Sequence, residues 1–149
     1  MLKCAREAQI IVEQKKFEQE IREQEKWKKI KEKAKEHTVK FAERLVENLI
    51  KRASHFNYDI KADEHFTTPN KYGVSFELKW TGTHYANNTH ALKVDDTKPI
   101  DVRLLIELLT EACYDVKYTE NGRRYPYNSV SWCDCAGITI TFPNSLPCN

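Results

Sequence analysis

Five cysteines and five histidines are the residues of this 149-residue chain whose chemistry comes first into question. Cys133-Asp134-Cys135 sets two thiols one residue apart. Two thiolates can share a zinc ion, with Cys148 or a histidine as further ligands. Common zinc sites space each cysteine pair by two residues and add a second pair, and neither feature occurs in the sequence. Both cysteines therefore read as small residues flanking a hairpin tip, and no metal or cofactor is expected. His84 and His90 flank one loop, with Tyr85 between them, as a nuclease or metal enzyme could require. Their separation matches no spacing with a mechanism, so they read as surface residues. Cys113 paired with a distant histidine would make a nucleophile. Its place on an apolar helix face predicts burial instead, and burial makes a thiol inert. The four glycines lie too far apart for a phosphate-binding loop. The chain is expected not to be an enzyme, with a metal- or thiol-dependent enzyme as the remaining catalytic alternative.

Binding chemistry has better candidates. Lys117, Tyr118, Arg123, Arg124, Tyr125 and Tyr127 interleave basic and aromatic side chains around Asn121-Gly122. Asn-Gly is a strong two-residue hairpin turn, because both central positions need φ > 0. Such a hairpin can stack single-stranded bases and hold phosphates. It can equally serve as a protein hot spot, since Arg and Tyr combine contact area with directional hydrogen bonds. Asp115 and Glu120 weaken the positive field, which favours a protein partner over nucleic acid.

These residues must be carried by two segments of different kind. Residues 1–54 hold 15 Lys/Arg against 10 Glu, and residues 55–149 hold 9 Lys/Arg against 12 Asp/Glu. The net charge of +2 conceals this split. No Gly, Pro or Asp precedes Asp59, and a stretch of Glu, Lys, Arg, Gln and Ala without breakers is the composition of a long helix. Phe17, Ile21, Gln24, Trp27, Ile30 and Ala34 form a narrow stripe at helical spacing. From Val39 to Ala53 the apolar face widens. A wide face suits docking on a core, and a narrow one suits a two-helix seam or a partner groove. Residues 38–54 are therefore expected to dock, and residues 5–36 to project, with a bend at His37-Thr38. Phe17, Ile21, Trp27 and Ile30 would then be exposed for a foreign protein or for a second copy of the chain as a homodimer. Glu18/Arg22 and Glu36/Lys40, among other pairs at i,i+4, support the isolated helix.

Residues 55–149 read as a small α+β domain. Val74, Phe76, Leu78 and Trp80 alternate with polar residues as a half-buried strand, and Ala91–Val94 returns antiparallel. A second helix is expected over 100–114, with Pro99 in its first turn and Asp101 at its positive end. Val102, Leu105, Ile106, Leu109, Ala112 and Cys113 form its inward face. Strands flank Asn121-Gly122. A last hairpin turns through Cys135-Ala136-Gly137, with Gly137 left-handed, so that Trp132, Ile140, Val130 and Phe142 share one side. Trp80 and Trp132 are expected in the core among Phe76, Leu78, Leu105, Leu109, Ile140 and Phe142. The fold expected is thus a long N-terminal helix followed by a small antiparallel sheet packed with one further helix.

A Lys-rich helix running into LIKRASHFNYDIKA, and a Leu-rich helix ending in EACYDVKY, give the chain a familiar cadence. It resembles small accessory proteins of bacteriophages that infect Gram-positive bacteria, some of which inhibit host defence, anti-CRISPR proteins among them. One departure is Cys113, which stands where such helices often end in Gly. The resemblance implies action by binding a large partner, such as a host defence nuclease, in the host cytoplasm. No run of roughly 18 apolar residues marks a membrane span, and the N-terminus lacks the apolar core of a signal peptide. The odd, scattered cysteines suggest a reducing compartment. The function expected is a non-enzymatic protein-binding module or inhibitor, with a nucleic-acid-binding protein as the alternative.

Overall fold

The computed structural model describes residues 1–55, 60–84, 89–120 and 135–144, with the backbone alone at 80–84 and 89–93. Helix α1 covers Ala5–Ser54 without interruption, a length of about 75 Å at 1.5 Å per residue. Strands β1 (Lys61–Thr67), β2 (Val74–His84) and β3 (Thr89–Asp101) follow. Helix α2 (Val102–Glu111) leads to β4 (Asp115–Thr119) and β5 (Cys135–Thr141). The five strands form one sheet in the order β3-β2-β1-β5-β4, all neighbours antiparallel. Both helices pack through one hydrophobic cluster against the sheet, which makes the fold α+β.

Strand periodicity sets the two faces of the sheet. Along β1, Ala62 and Phe66 are fully buried beneath the helices, while Lys61, Asp63 and His65 take the opposite side. Phe41 of α1 meets Phe66 edge-on, with ring centroids 6.0 Å apart, and Tyr118 of β4 stacks on Phe66 at 6.2 Å. Leu45, Leu49, Leu105, Leu109, Ile138 and Ile140 complete the cluster. Each such buried side chain contributes about 1.5–3 kcal/mol, so this cluster holds the two layers together.

Several expectations about local structure change. Helix α1 does not break at His37-Thr38. Thr38 is fully buried, and its hydroxyl donates to the Ala34 carbonyl at 2.6 Å, a bond compatible with continued helix. Pro99 lies in β3, opposite Phe76, and not in the first turn of α2. Asp101 is the N-cap of α2, its carboxylate accepting from the Leu104 N–H at 3.3 Å. Ala112, expected on the inward face, is exposed.

The expected Cys135-Ala136-Gly137 loop is instead the start of β5. Cys135 lies opposite Thr67 and Ala136 opposite Phe66, so β5 is a central strand between β1 and β4. Gly137 serves close approach. A Cβ there would stand 3.1 Å from Nδ1 of His65, directly opposite on β1. Ile140 is buried as expected, but Phe142 lies beyond the end of β5 and is 41% exposed. Leu78 pairs with Val94 and Trp80 with Leu92 in the expected antiparallel return. The strict alternation does not hold, because Val74 and Ser75 are both buried and the register shifts between Phe76 and Glu77. The side chains of Trp80, His84 and His90 lie outside what is described, as do Asn121-Gly122, Val130, Trp132, Cys133 and Cys148 altogether.

Cys113 ends α2 at φ 69°, the left-handed conformation that favours glycine. The Cys113 N–H bonds to the Thr110 carbonyl at 2.9 Å and the Tyr114 N–H to the Leu109 carbonyl at 3.1 Å, the paired bonds of a Schellman cap. Cys113 is disulfide-bonded, so it is not the buried, inert thiol expected on the helix face.

Candidate partner-binding surface

Helix α1 divides into a free part and a held part, and the division falls earlier than its pattern suggests. Trp27 is half-buried. Its ring stacks on Tyr72 with centroids 5.8 Å apart and meets Phe76 edge-on at 6.1 Å. Tyr72 is held there by the turn between β1 and β2. Asn70 Oδ1 accepts from the Tyr72 and Val74 N–H groups, and Gly73 adopts φ 78° to close the turn. The same turn brings Lys71 to 4.0 Å from Glu23, whose carboxylate also accepts from the Tyr72 hydroxyl. Ile30 is half-buried and Ala34 fully buried. Trp27 and Ile30, expected to project, therefore belong to the docked surface.

Below Glu23, α1 stands away from the core. Ile10 is 47% exposed, Phe17 64% and Ile21 39%. These large apolar residues recur at three- and four-residue steps through Gln14, so they share one side of the helix. At 100° per residue, that side lies about 100° around the helix from the docked row of Trp27, Ala34, Phe41 and Leu45. The stripe of Ile10, Phe17 and Ile21 is therefore not a continuation of the face that packs on the sheet.

The charged groups of the docked half are occupied with one another. Glu77 of β2 accepts from Arg44 at 2.6 Å and from His37 at 3.1 Å, with Lys98 at 4.0 Å. Arg44 also lies 4.0 Å from Glu64, which accepts from Asn48 at 3.3 Å. Burial raises the Glu64 carboxyl above its ordinary value, partly opposed by Arg44. These groups tie α1 to β1 and β2, and their geometry is that of a structural network. Among the described residues, no cluster of three or more His, Cys, Asp or Glu is arranged to hold a metal ion.

The basic-aromatic group has a mixed placement. Lys117 is exposed on the open face of the sheet, in a row with Thr139 and Asp63. The Thr139 hydroxyl donates to the Asp63 carboxylate. Tyr118 turns to the other face, where it stacks on Phe66 while its hydroxyl donates to Glu120 at 2.9 Å. Burial first, and then this bond, raise its pKa. The Tyr118 ring is thus part of the core wall, with its hydroxyl end exposed beside Glu120. Arg123, Arg124, Tyr125 and Tyr127 lie outside the described residues. An apolar groove of about 430 Å³ runs between the helices, lined by Val39, Ala42, Val46, Leu108 and Tyr114 among others.

Tyr72 is the contact that sequence reading missed. The available signal was Asn70 and Gly73 three residues apart, the ends of a turn that displays the residues between them.

The fold is a two-layer α+β domain from which one end of a long helix extends. The chain matches no protein-family model, and no match to a curated protein or a solved structure is found. Among the described residues, no helix is long and apolar enough to cross a membrane.

Proposed function

We propose that this protein is a non-enzymatic binding module that acts by occupying a surface of a larger macromolecule. The observation that carries this reading is the exposed stripe of Ile10, Phe17 and Ile21 on the free part of α1. Large apolar residues arrayed on one side of an extended helix are costly to leave in water and are a common form of partner contact. The occupied charges around Glu77 support the same reading, since they hold α1 against the sheet and so fix where its free end points. An inhibitor of a host defence nuclease, of the kind that phage accessory proteins supply, fits this mode of action. The Arg123–Tyr127 segment is a second contact candidate on its composition alone.

The test is affinity capture from extract of the native host, comparing wild type with Phe17→Glu/Ile21→Glu at moderate salt. Both positions are exposed, so the double variant should keep the wild-type melting temperature. A stoichiometric partner retained by wild type and lost by the variant is the expected result. Equal recovery of partners by both proteins would remove the helix from the interface. Capture dominated by nucleic acid, collapsing steeply as salt rises, would favour the nucleic-acid alternative.

A further inference from the structure

We infer that the free part of α1 takes as its partner a basic amphipathic helix of another protein, and not a second copy of this chain. This rests on the binding-module reading and names the occupant of the stripe.

Charge placement carries the inference. Around the stripe of Ile10, Gln14, Phe17 and Ile21, the residues on one side are Glu13 and Glu20. On the other side are Glu7, Glu18 and Glu25. All five glutamates are exposed. Of the basic residues nearby, Lys15, Lys16, Arg22 and Lys26 fall on the far side of the helix at 100° per residue, and Arg6, in the first turn, falls on the side of Glu13 and Glu20. The helix as a whole is basic, yet both flanks of its apolar stripe are acidic from Glu7 to Glu25.

In a two-helix seam, these flanks are the positions that face each other across the interface and set partner choice. Two copies in parallel would oppose Glu13 to Glu18 and Glu20 to Glu25. Two antiparallel copies with their stripes aligned would oppose Glu13 to Glu20, with Arg6 the one basic residue on that flank. Either arrangement sets like charges against each other, which is how natural seams reject a wrong partner. A helix with Lys or Arg along the flanks of its own apolar stripe would instead pair with every one of these glutamates. The stripe also lies to one side of the docked row, on the part of α1 beyond the sheet, so such a helix can lie along it without displacing the sheet.

The test uses the full chain and two synthetic helical peptides of about four heptads, each with Leu in the seam. One carries Lys at the flanking positions and the other carries Glu. The expected result is that wild type is a monomer by light scattering and binds the Lys-flanked peptide one to one. The Glu-flanked peptide should bind about tenfold more weakly or not at all, given several surface charge pairs acting together. Phe17→Glu/Ile21→Glu should abolish binding, and Glu13→Lys/Glu20→Lys, which leaves the glutamates of the other flank, should remove most of the preference between peptides. A wild-type dimer that Phe17→Glu/Ile21→Glu dissociates would overturn the choice of partner while leaving the stripe as an interface. Equal affinity for both peptides would overturn selection by charge and leave the binding-module reading intact. Binding to neither peptide, in a monomer, would overturn the inference, and the host-extract capture would then decide the module reading separately.

Discussion

Glu64 sits on the helix side of β1, where burial raises its carboxyl above the ordinary value of 4.5 and Arg44 only partly opposes this. A folded-state pKa above the unfolded one means that the native protein holds this proton more tightly than the unfolded chain does. The contribution to stability is therefore full in acid, falls as pH rises from 4.5 through the raised native value, and is flat above it. Glu64→Gln keeps an acceptor for Asn48 and removes that fall. The variant should equal or exceed wild type at neutral pH by up to about 1 kcal/mol and lose the advantage toward about pH 4. Thermal melts across this range check it, and a constant offset at every pH would show that Glu64 does not titrate there. Thr38 has a different role. Its buried hydroxyl accepts from the Asp101 N–H at 3.0 Å, joining α1 to the end of β3. Thr38→Val conserves shape but leaves that N–H unpaired, a loss of about 1–3 kcal/mol. Denaturant melts measure this directly, and Thr38→Ser should recover most of it.

The held and free parts of α1 make opposite predictions. Trp27→Ala removes a ring packed between Tyr72 and Phe76 and should destabilise the protein by roughly 2–4 kcal/mol, toward the lower side for a half-buried aromatic. Phe17→Glu/Ile21→Glu should change the melting temperature little, because neither side chain packs on the core. Comparable losses in both proteins would mean that the whole of α1 is held. The helix itself was readable from composition, since nothing in its first 54 residues breaks it. The point where it leaves the core was not. The stripe widens at Val39, yet packing begins near Glu23 because a turn 45 residues beyond Trp27 reaches back with Tyr72. Periodicity reports which side of a helix is apolar and is silent on what arrives from elsewhere in the chain.

Strand β5 failed to be read for a related reason. Gly137 suggested a turn, and its real need is room for the His65 ring across the sheet. The second strand and the acidic start of α2 at Asp101 were legible, because strand composition and helix-end charge are local, whereas the bulge in that strand and the left-handed end of α2 at Cys113 were not. The exposure of Phe17 and Ile21 was legible from spacing alone. The acidic flanks beside them were present in the same letters. They carry meaning only once the free stripe is separated from the docked row.

The whole molecule is a sheet clasped by one half of a long helix, with the other half extending free. Sequence charge adds a further asymmetry, since a basic helix carries an acidic-edged apolar stripe. A helix of about 18 residues without tertiary contacts to the other described residues is marginal in water, even with favourable i,i+4 pairs. The free part should therefore open far more readily than the docked part, and a partner should order it. Hydrogen exchange read along α1, with and without the Lys-flanked peptide, measures this in one experiment. Amides from Ala5 to about Arg22 should exchange quickly in the free protein, those from Ala34 to Leu49 slowly, and the peptide should protect the first group alone. Uniform protection along α1 in the free protein, or protection by the peptide confined to other parts of the chain, would contradict a helix with one end held and the other kept for a partner.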